Sequence, residues 1–480
     1  MFGYALISSM LVLFMATPAA ADAAPWSPPV DVGPPADYTM APGLAFAHDG
    51  SGLVTWQRRE QPAQAGGLPG AVDLQAPNDA ISSRALRLGV PGAGVQSLAD
   101  SIEAGPVFED LGRGLVLRTL RLSADGYGGR RTRLSWSAIG RDGRVGRART
   151  ITTATLDSAP SLAEDHRGNA VAAWSERLAP ANGREVFGRY RIRAAWRPAG
   201  KVFGAPVTLY TTDGADPTRN GAVQATIGRQ GRAVVAFADV RVRRGRDRKR
   251  VLVWTRTPRR AFGSALTVGP QSDAADIALG VTDRGRVIVV WGTQDGGEEA
   301  TTPWIVRAAT LRPRGKRFSS PQTLDRGVDH ARPMGGVALA VDPGGQATVA
   351  WSTVRPIGYP LVTATSDANG HFGASQQVTA MGALGGLAVR QDGAAIVAYA
   401  RVLGEQITDQ AYAAVRPRDA TLFGAPEAIA DADHAQPPVV AFDARSGRPT
   451  VAWSARPHGQ DPSNGIATTA VLRLATRAAP

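Results

Sequence analysis

One short apolar phrase returns along the chain, each time ending in an aromatic side chain: GLVTW at Trp56, AVAAW at Trp174, AVVAF at Phe237, VIVVW at Trp291, ATVAW at Trp351, AIVAY at Tyr399 and TVAW at Trp453. A weaker copy, GLVLR, ends at Arg118, and with it the mean spacing is about 57 residues. Each phrase follows another short apolar run and a tight turn, as in LAEDHRGN, AVDPGG and AVRQDG. Two apolar runs around an Asp/Gly turn are the pattern of a β-hairpin. A variable loop, a third apolar run and a fourth run opened by Phe-Gly-x-Pro or a variant (VFGAPVTLY, LFGAPEAIA) complete the unit. Four short strands in so small a unit predict one propeller blade, because a sandwich domain needs about 100 residues and about seven strands.

The last unit, ending IATTAVLRLATRAAP, stops after its third run. The missing fourth run has a counterpart near the other end of the chain, APWSPPVDVG, with Trp26 standing where Phe stands elsewhere. A strand from one terminus completing the blade of the other would remove open sheet edges. The expected fold is therefore all-β: a single-domain β-propeller over residues 22–480, of about eight four-stranded blades with seven as the alternative, closed by that N-terminal strand. The chain resembles secreted bacterial β-propeller repeat proteins of unassigned function, which carry an apolar run, DxxG or DG, and then VAW. The resemblance implies architecture and no particular activity.

Residues 1–21 place an apolar stretch ahead of Ala19-Ala20-Ala21, the form of a secretory signal peptide, although no Lys or Arg precedes the stretch. A retained membrane anchor is the competing reading, against which the run falls short of the ~20 residues a spanning helix needs. No later segment is apolar enough to span, so a secreted protein with no integral membrane segment after cleavage is expected. The chain has no Cys, which removes disulfides, thiolate metal ligands and cysteine nucleophiles. Its net charge of +13 comes almost wholly from Arg, Lys occurring only at 201, 249 and 316. For an exported protein this points to an anionic cell-wall polymer, a glycan or a surface protein rather than to nucleic acid. A monomer is expected.

The matched aromatics read as packing between blades, and Arg118, which lacks one, is expected to contribute little. Candidate chemistry lies in the loops. In a propeller, the loops entering the innermost strand and those leaving the second strand share the face around the channel mouth. Entering segments carry acids and two imidazoles: Asp157, Asp213, Asp216, Asp273, Asp276, Asp329 with His330, and Asp433 with His434. Leaving strands carry Arg58, Arg177, Arg241, Arg355, Arg401 and Arg456. Such a ring can be a set of Asx turns paired to Arg, or a ligand site. As a site, acids and imidazoles take a sugar or Ca²⁺, and Arg grips a carboxylate or sulfate. No cofactor beyond that possible Ca²⁺ is implied.

RVRRGRDRKR, residues 241–250, is the densest run of charge and reads as a solvated hairpin tip or an anion-contacting finger. HExxH, GxSxG, P-loop and GxGxxG strings are absent, and TSDANGHF at 365–372 departs from the Asp box, SxDxGxxW. A carboxylate pair for glycoside cleavage would come from different blades and leave no local spacing. The balance favours a secreted non-catalytic binding scaffold whose mouth face binds an extracellular ligand. The alternative is a polysaccharide-active hydrolase or lyase with its site at the mouth.

Overall fold

The computed structural model describes residues 26–36, 38–60, 80–89, 94–98, 100–110, 112–124, 130–156, 158–178, 188–215, 223–243, 246–268, 273–294, 304–327, 336–353, 358–403, 407–430, 434–435, 437–456 and 470–478. The proposed signal peptide lies outside them. Among the described residues there is no helix, and hence none long and apolar enough to cross a membrane.

Strands follow one another in antiparallel sets of four. Tyr38–Phe46, Gly52–Glu60, Ala80–Leu88 and Gln96–Leu98 form one sheet, and Asp273–Val281, Val287–Gln294, Trp304–Leu311 and Gln322–Arg326 another. The sets beginning at Val337–Val341 and Gly382–Val389 are likewise separate four-stranded sheets. Three consecutive sets, opening with Ser101–Phe108, Ser161–Glu164 and Gln224–Ile227, are joined by edge pairs at Glu176↔Leu156 and Ala215↔Arg241. No sheet closes on itself. The first strand of each set touches the first strand of the next, from Tyr38–Phe46 onward to Val439–Phe442, which touches Tyr38–Phe46.

The second strand of a set is buried on both faces, which is why it reads as an unbroken apolar run. In Val287–Gln294, Val287, Val289 and Trp291 pack with Val234, Ala236 and Ala238 of the preceding set. Ile288 and Val290 turn the other way, onto Val349 and Trp351 of the following one. The repeated aromatics lie within this packing: Trp174, Trp291 and Trp453 are wholly buried, and Trp56, Phe237, Trp351 and Tyr399 are nearly so. Each contributes roughly 2–3 kcal/mol by burial. Arg118 departs from the expectation of a minor role. It is buried, 3.3 Å from the carboxylate of Asp100, and donates to Ser137 Oγ at 3.2 Å, so a buried ion pair stands where other repeats have a ring.

The hairpins are set by their turns. Asp165 Oδ1 accepts the backbone N–H groups of Arg167 and Asn169, and Gly168 follows at φ +86°, in the region glycine enters without strain.

Neighbouring sets are also held by amide clasps. Gln322, opening a fourth strand, donates Nε2–H to the carbonyl of Phe372 at 2.6 Å and accepts the Phe372 N–H at 3.0 Å. Gln376 does the same with Phe423, at 2.9 and 2.8 Å, and Gln96 with Val145, at 2.8 and 2.9 Å. Glu427 opens the next fourth strand, and there the partner is Trp26, whose indole N–H donates to Oε2 at 3.0 Å. Arg477 adds two 2.9 Å bonds to the same carboxylate. Beyond Trp26, Val30–Ala36 pairs antiparallel with Ala470–Thr476, with Val30 opposite Leu474 and Val32 opposite Leu472.

Candidate functional site

The expected mouth residues divide by what is described. Asp157, Asp216, Asp329, His330, Arg355 and Asp433 lie outside the described residues. Asp273, Arg241, His434 and Arg456 are described by backbone. Asp273 opens a first strand opposite Gln294, near the end of the second strand, and His434 stands opposite Arg456 in the same relation. Where the sequence predicts loops, Asp273 opens the first strand itself, and His434 opens a separate two-residue strand, His434–Ala435, paired to the same second strand as Val439–Phe442. Arg241 pairs with Arg248 in a hairpin that runs on through Arg243↔Arg246, so most of the basic run is ladder rather than loop. Arg177 is exposed beside Thr155 and Tyr190, and the Arg401 guanidinium lies 5.5 Å from the Tyr412 ring centroid.

Two carboxylates on second strands accept several charged and polar donors each. Glu176 accepts from Trp174 Nε1 at 2.9 Å, from Arg191 Nε at 3.0 Å and Nη2 at 2.6 Å, and lies 3.5 Å from Arg193 Nη1. Asp239 accepts from Tyr210 Oη and Arg250 Nε, both at 2.9 Å; burial nonetheless pushes its carboxyl above the ordinary range. Donors held this way are engaged with their carboxylates.

Asp276 differs from both. It sits in a bulge of Asp273–Val281, where the register shifts between Ala274 and Ile277, a device that re-aims a side chain. Its carboxyl packs 3.8 Å from where a side chain on Gly336 would begin. Gly336 immediately precedes the next set's first strand, and Asp329 and His330 come before it in sequence. Burial alone raises its pKa, and among the described residues no cation or hydrogen-bond donor offsets that. An acid in this condition keeps its proton to higher pH than an exposed one, the property a general acid needs. Sequence alone groups Asp276 with the other entering acids; the bulge that buries it leaves no sequence signal.

Among the described residues no three His, Asp or Glu side chains gather as a metal site. At the opposite pole, a cavity of about 340 Å³ is lined by first-strand ends of four consecutive sets, including Ile227, Val281, Val341 and Val389.

No family model and no curated protein matches the chain. Solved structures similar to it include the polysaccharide lyase Uly1, at 10% identity over 78% of this chain and 90% of that one, with a TM-score of 0.46. The NanB sialidase from Streptococcus pneumoniae is similar at 10% identity over 95% of this chain and 70% of its own, TM-score 0.40. The GH93 α-L-arabinofuranosidase of Fusarium graminearum is similar at 12% identity over 66% and 91%, TM-score 0.35. The successive four-stranded antiparallel sheets are consistent with the expected β-propeller, with no sequence family attached. The expectation of a non-catalytic binding scaffold is set aside: the similar structures are named as a polysaccharide lyase, a sialidase and an α-L-arabinofuranosidase. The catalytic alternative is argued below from this chain's own side chains.

Proposed function

We propose that the protein is a polysaccharide-cleaving hydrolase or lyase, exported by residues 1–21, with its site at the channel mouth of an eight-bladed ring. The cyclic contacts between first strands, and the pairing of Val30–Ala36 with Ala470–Thr476, support the ring. The single observation that carries the activity is Asp276: a half-buried carboxyl in the bulge of a first strand, raised in pKa by burial, with no neutralising partner among the described residues.

In hydrolysis, Asp276 donates its proton to the glycosidic oxygen as the bond to the anomeric carbon breaks. Water adds to that carbon and passes a proton to a second group. In elimination, a base removes the proton beside a uronate carboxyl and Asp276 protonates the departing oxygen. Candidates for the second group are Asp273 on the same strand and Asp329 or His330, which precede Gly336 in sequence. The mouth arginines, Arg177, Arg241, Arg355, Arg401 and Arg456, with Asp157, Asp216, Asp433 and His434 between them, would grip an acidic chain.

The test is incubation of the mature protein with a panel of neutral and acidic polysaccharides. New reducing ends report cleavage by either route, and the ultraviolet absorbance of an unsaturated uronate marks elimination. Asp276→Asn is expected to lower the rate by roughly 10²- to 10⁴-fold while leaving the melting temperature in place. A panel on which the parent cleaves nothing, or an Asp276→Asn variant as active as the parent, overturns the reading.

A further inference from the structure

A second cavity, of about 600 Å³, opens between the sets that begin at Ser101–Phe108 and Ser161–Glu164, at the pole of the hairpin turns and away from the mouth. One of its cations is held in a fixed position. Arg197 donates Nη1–H to Glu164 Oε1 at 3.2 Å and to the carbonyl of Gly168 at 2.8 Å, and Nε–H to the carbonyl of Lys201 at 2.8 Å. Its guanidinium lies 5.2 Å from the centroid of Trp136, and that of Arg149 lies 5.4 Å from the same ring. Arg113 pairs with Glu109 at the rim, while Arg147 and Lys201 also line the space. Guanidiniums stacked on an indole and tied to carbonyls have little rotamer entropy left to lose on binding.

Two carboxyls, Glu109 and Glu164, stand beside these five cations and leave an excess of positive charge. Glu164 is 2% exposed, and its Oε2 is buried with no hydrogen-bond partner. A buried carboxyl oxygen without a donor is expensive as an anion and serviceable as a protonated donor. The groups acting on Glu164 are Arg197 and Arg113, which favour ionisation, and Glu109 and Asp165, which oppose it; burial outweighs them all and pushes its pKa to about 8. Between the cations, Ile139, Ala138 and Val202 supply an apolar floor.

We infer that this cavity is a binding site for one acidic sugar unit, a uronate or sulfated pyranose. Its oxyanion would be gripped by Arg147, Arg149, Arg197 and Lys201, with Glu164 buried behind Arg197, and its C–H face laid on the apolar floor. The site is independent of the mouth and needs no catalysis, so it stands or falls apart from the cleavage reading.

The experiment is calorimetric titration of the mature protein with methyl glucuronoside, methyl glucoside and inorganic sulfate, near neutral pH and above pH 8. The glucuronoside is expected to bind saturably near neutral pH and at least about tenfold more tightly than either the glucoside or sulfate. Arg149→Gln and Arg147→Gln, both at exposed positions, each weaken it by about tenfold without moving the melting temperature. Above pH 8 the parent loses affinity as Glu164 ionises, whereas Glu164→Gln binds equally at both pH values. Absence of saturable binding overturns the inference, as does a glucoside that binds as well as the glucuronoside. Sulfate binding as tightly as the glucuronoside overturns the sugar assignment, and indifference to both arginine changes removes the site.

Discussion

The indole N–H of Trp26 donates a 3.0 Å hydrogen bond to the carboxylate of Glu427, which lies 401 positions further along the chain. Ser27 reinforces the contact, its N–H donating to the carbonyl of Thr476 and its hydroxyl accepting the Thr476 N–H. The start of the described chain is thereby bound both to the last set of strands and to the set before it.

Removing residues 22–33 deletes these bonds, uncovers the edge of Ala470–Thr476 and exposes the surface that the nearly buried Val32 covers. The loss amounts to several kcal/mol, a large share of the ~5–15 kcal/mol that stabilises a typical domain. A sharply lower melting temperature and aggregation on mild heating are expected, by calorimetry and light scattering. Trp26→Phe keeps the ring and loses only the N–H, so it should cost about 1 kcal/mol. A truncated protein that melts with the parent would mean the segment does not hold the last set.

Gln322→Ala strips two hydrogen bonds from the backbone of Phe372 and leaves both groups without their partner. A destabilisation of about 1–3 kcal/mol is expected in denaturant titration. Gln322→Glu keeps the acceptor and loses the donor, and should fall between the parent and the alanine variant.

Arg118→Ala leaves Asp100 without its cation in a largely enclosed position. Removing one member of such a pair costs about 3 kcal/mol, far from the silence that the missing aromatic suggests. Equal stability of Arg118→Ala and parent in chemical denaturation would mean that solvent already compensates Asp100.

Glu164 couples stability to pH. Unfolded, it titrates near its ordinary 4.5; folded, at about 8, so the native state binds the proton more tightly. Its contribution is fully present below about 4.5 and declines as pH rises toward 8, where the buried carboxyl must ionise. Glu164→Gln should therefore melt close to the parent in acid and increasingly above it as pH climbs through that window. A constant difference in melting temperature across the window would show that Glu164 does not titrate there.

How much of this was written in the sequence follows from which forces are periodic. The VAW phrase, the Asp/Gly turns and the strand-like segment around Trp26 all mark backbone geometry or burial repeated in every unit, and they were legible. The Arg118 exception was not, because a buried ion pair and an exposed Arg look alike until Asp100 is seen beside it. Nor was the distinction of Asp276 from its neighbours, which depends on a one-strand register shift. Glu109 and Glu164 are brought together only when adjacent sets pack, and Gln96, Gln322 and Gln376, lying among polar residues, read as ordinary surface.

The amide clasps read the backbone of the turn they hold and are indifferent to its side chain: Val145, Phe372 and Phe423 are gripped in the same way. A lock that recognises a peptide unit does not require its two halves to change together. After duplication of an ancestral unit, the gripped residue could change among apolar side chains that fill the seam while the glutamine preserved the fit. Neighbouring units could thus diverge, each acquiring loops of its own, without the assembly losing its geometry.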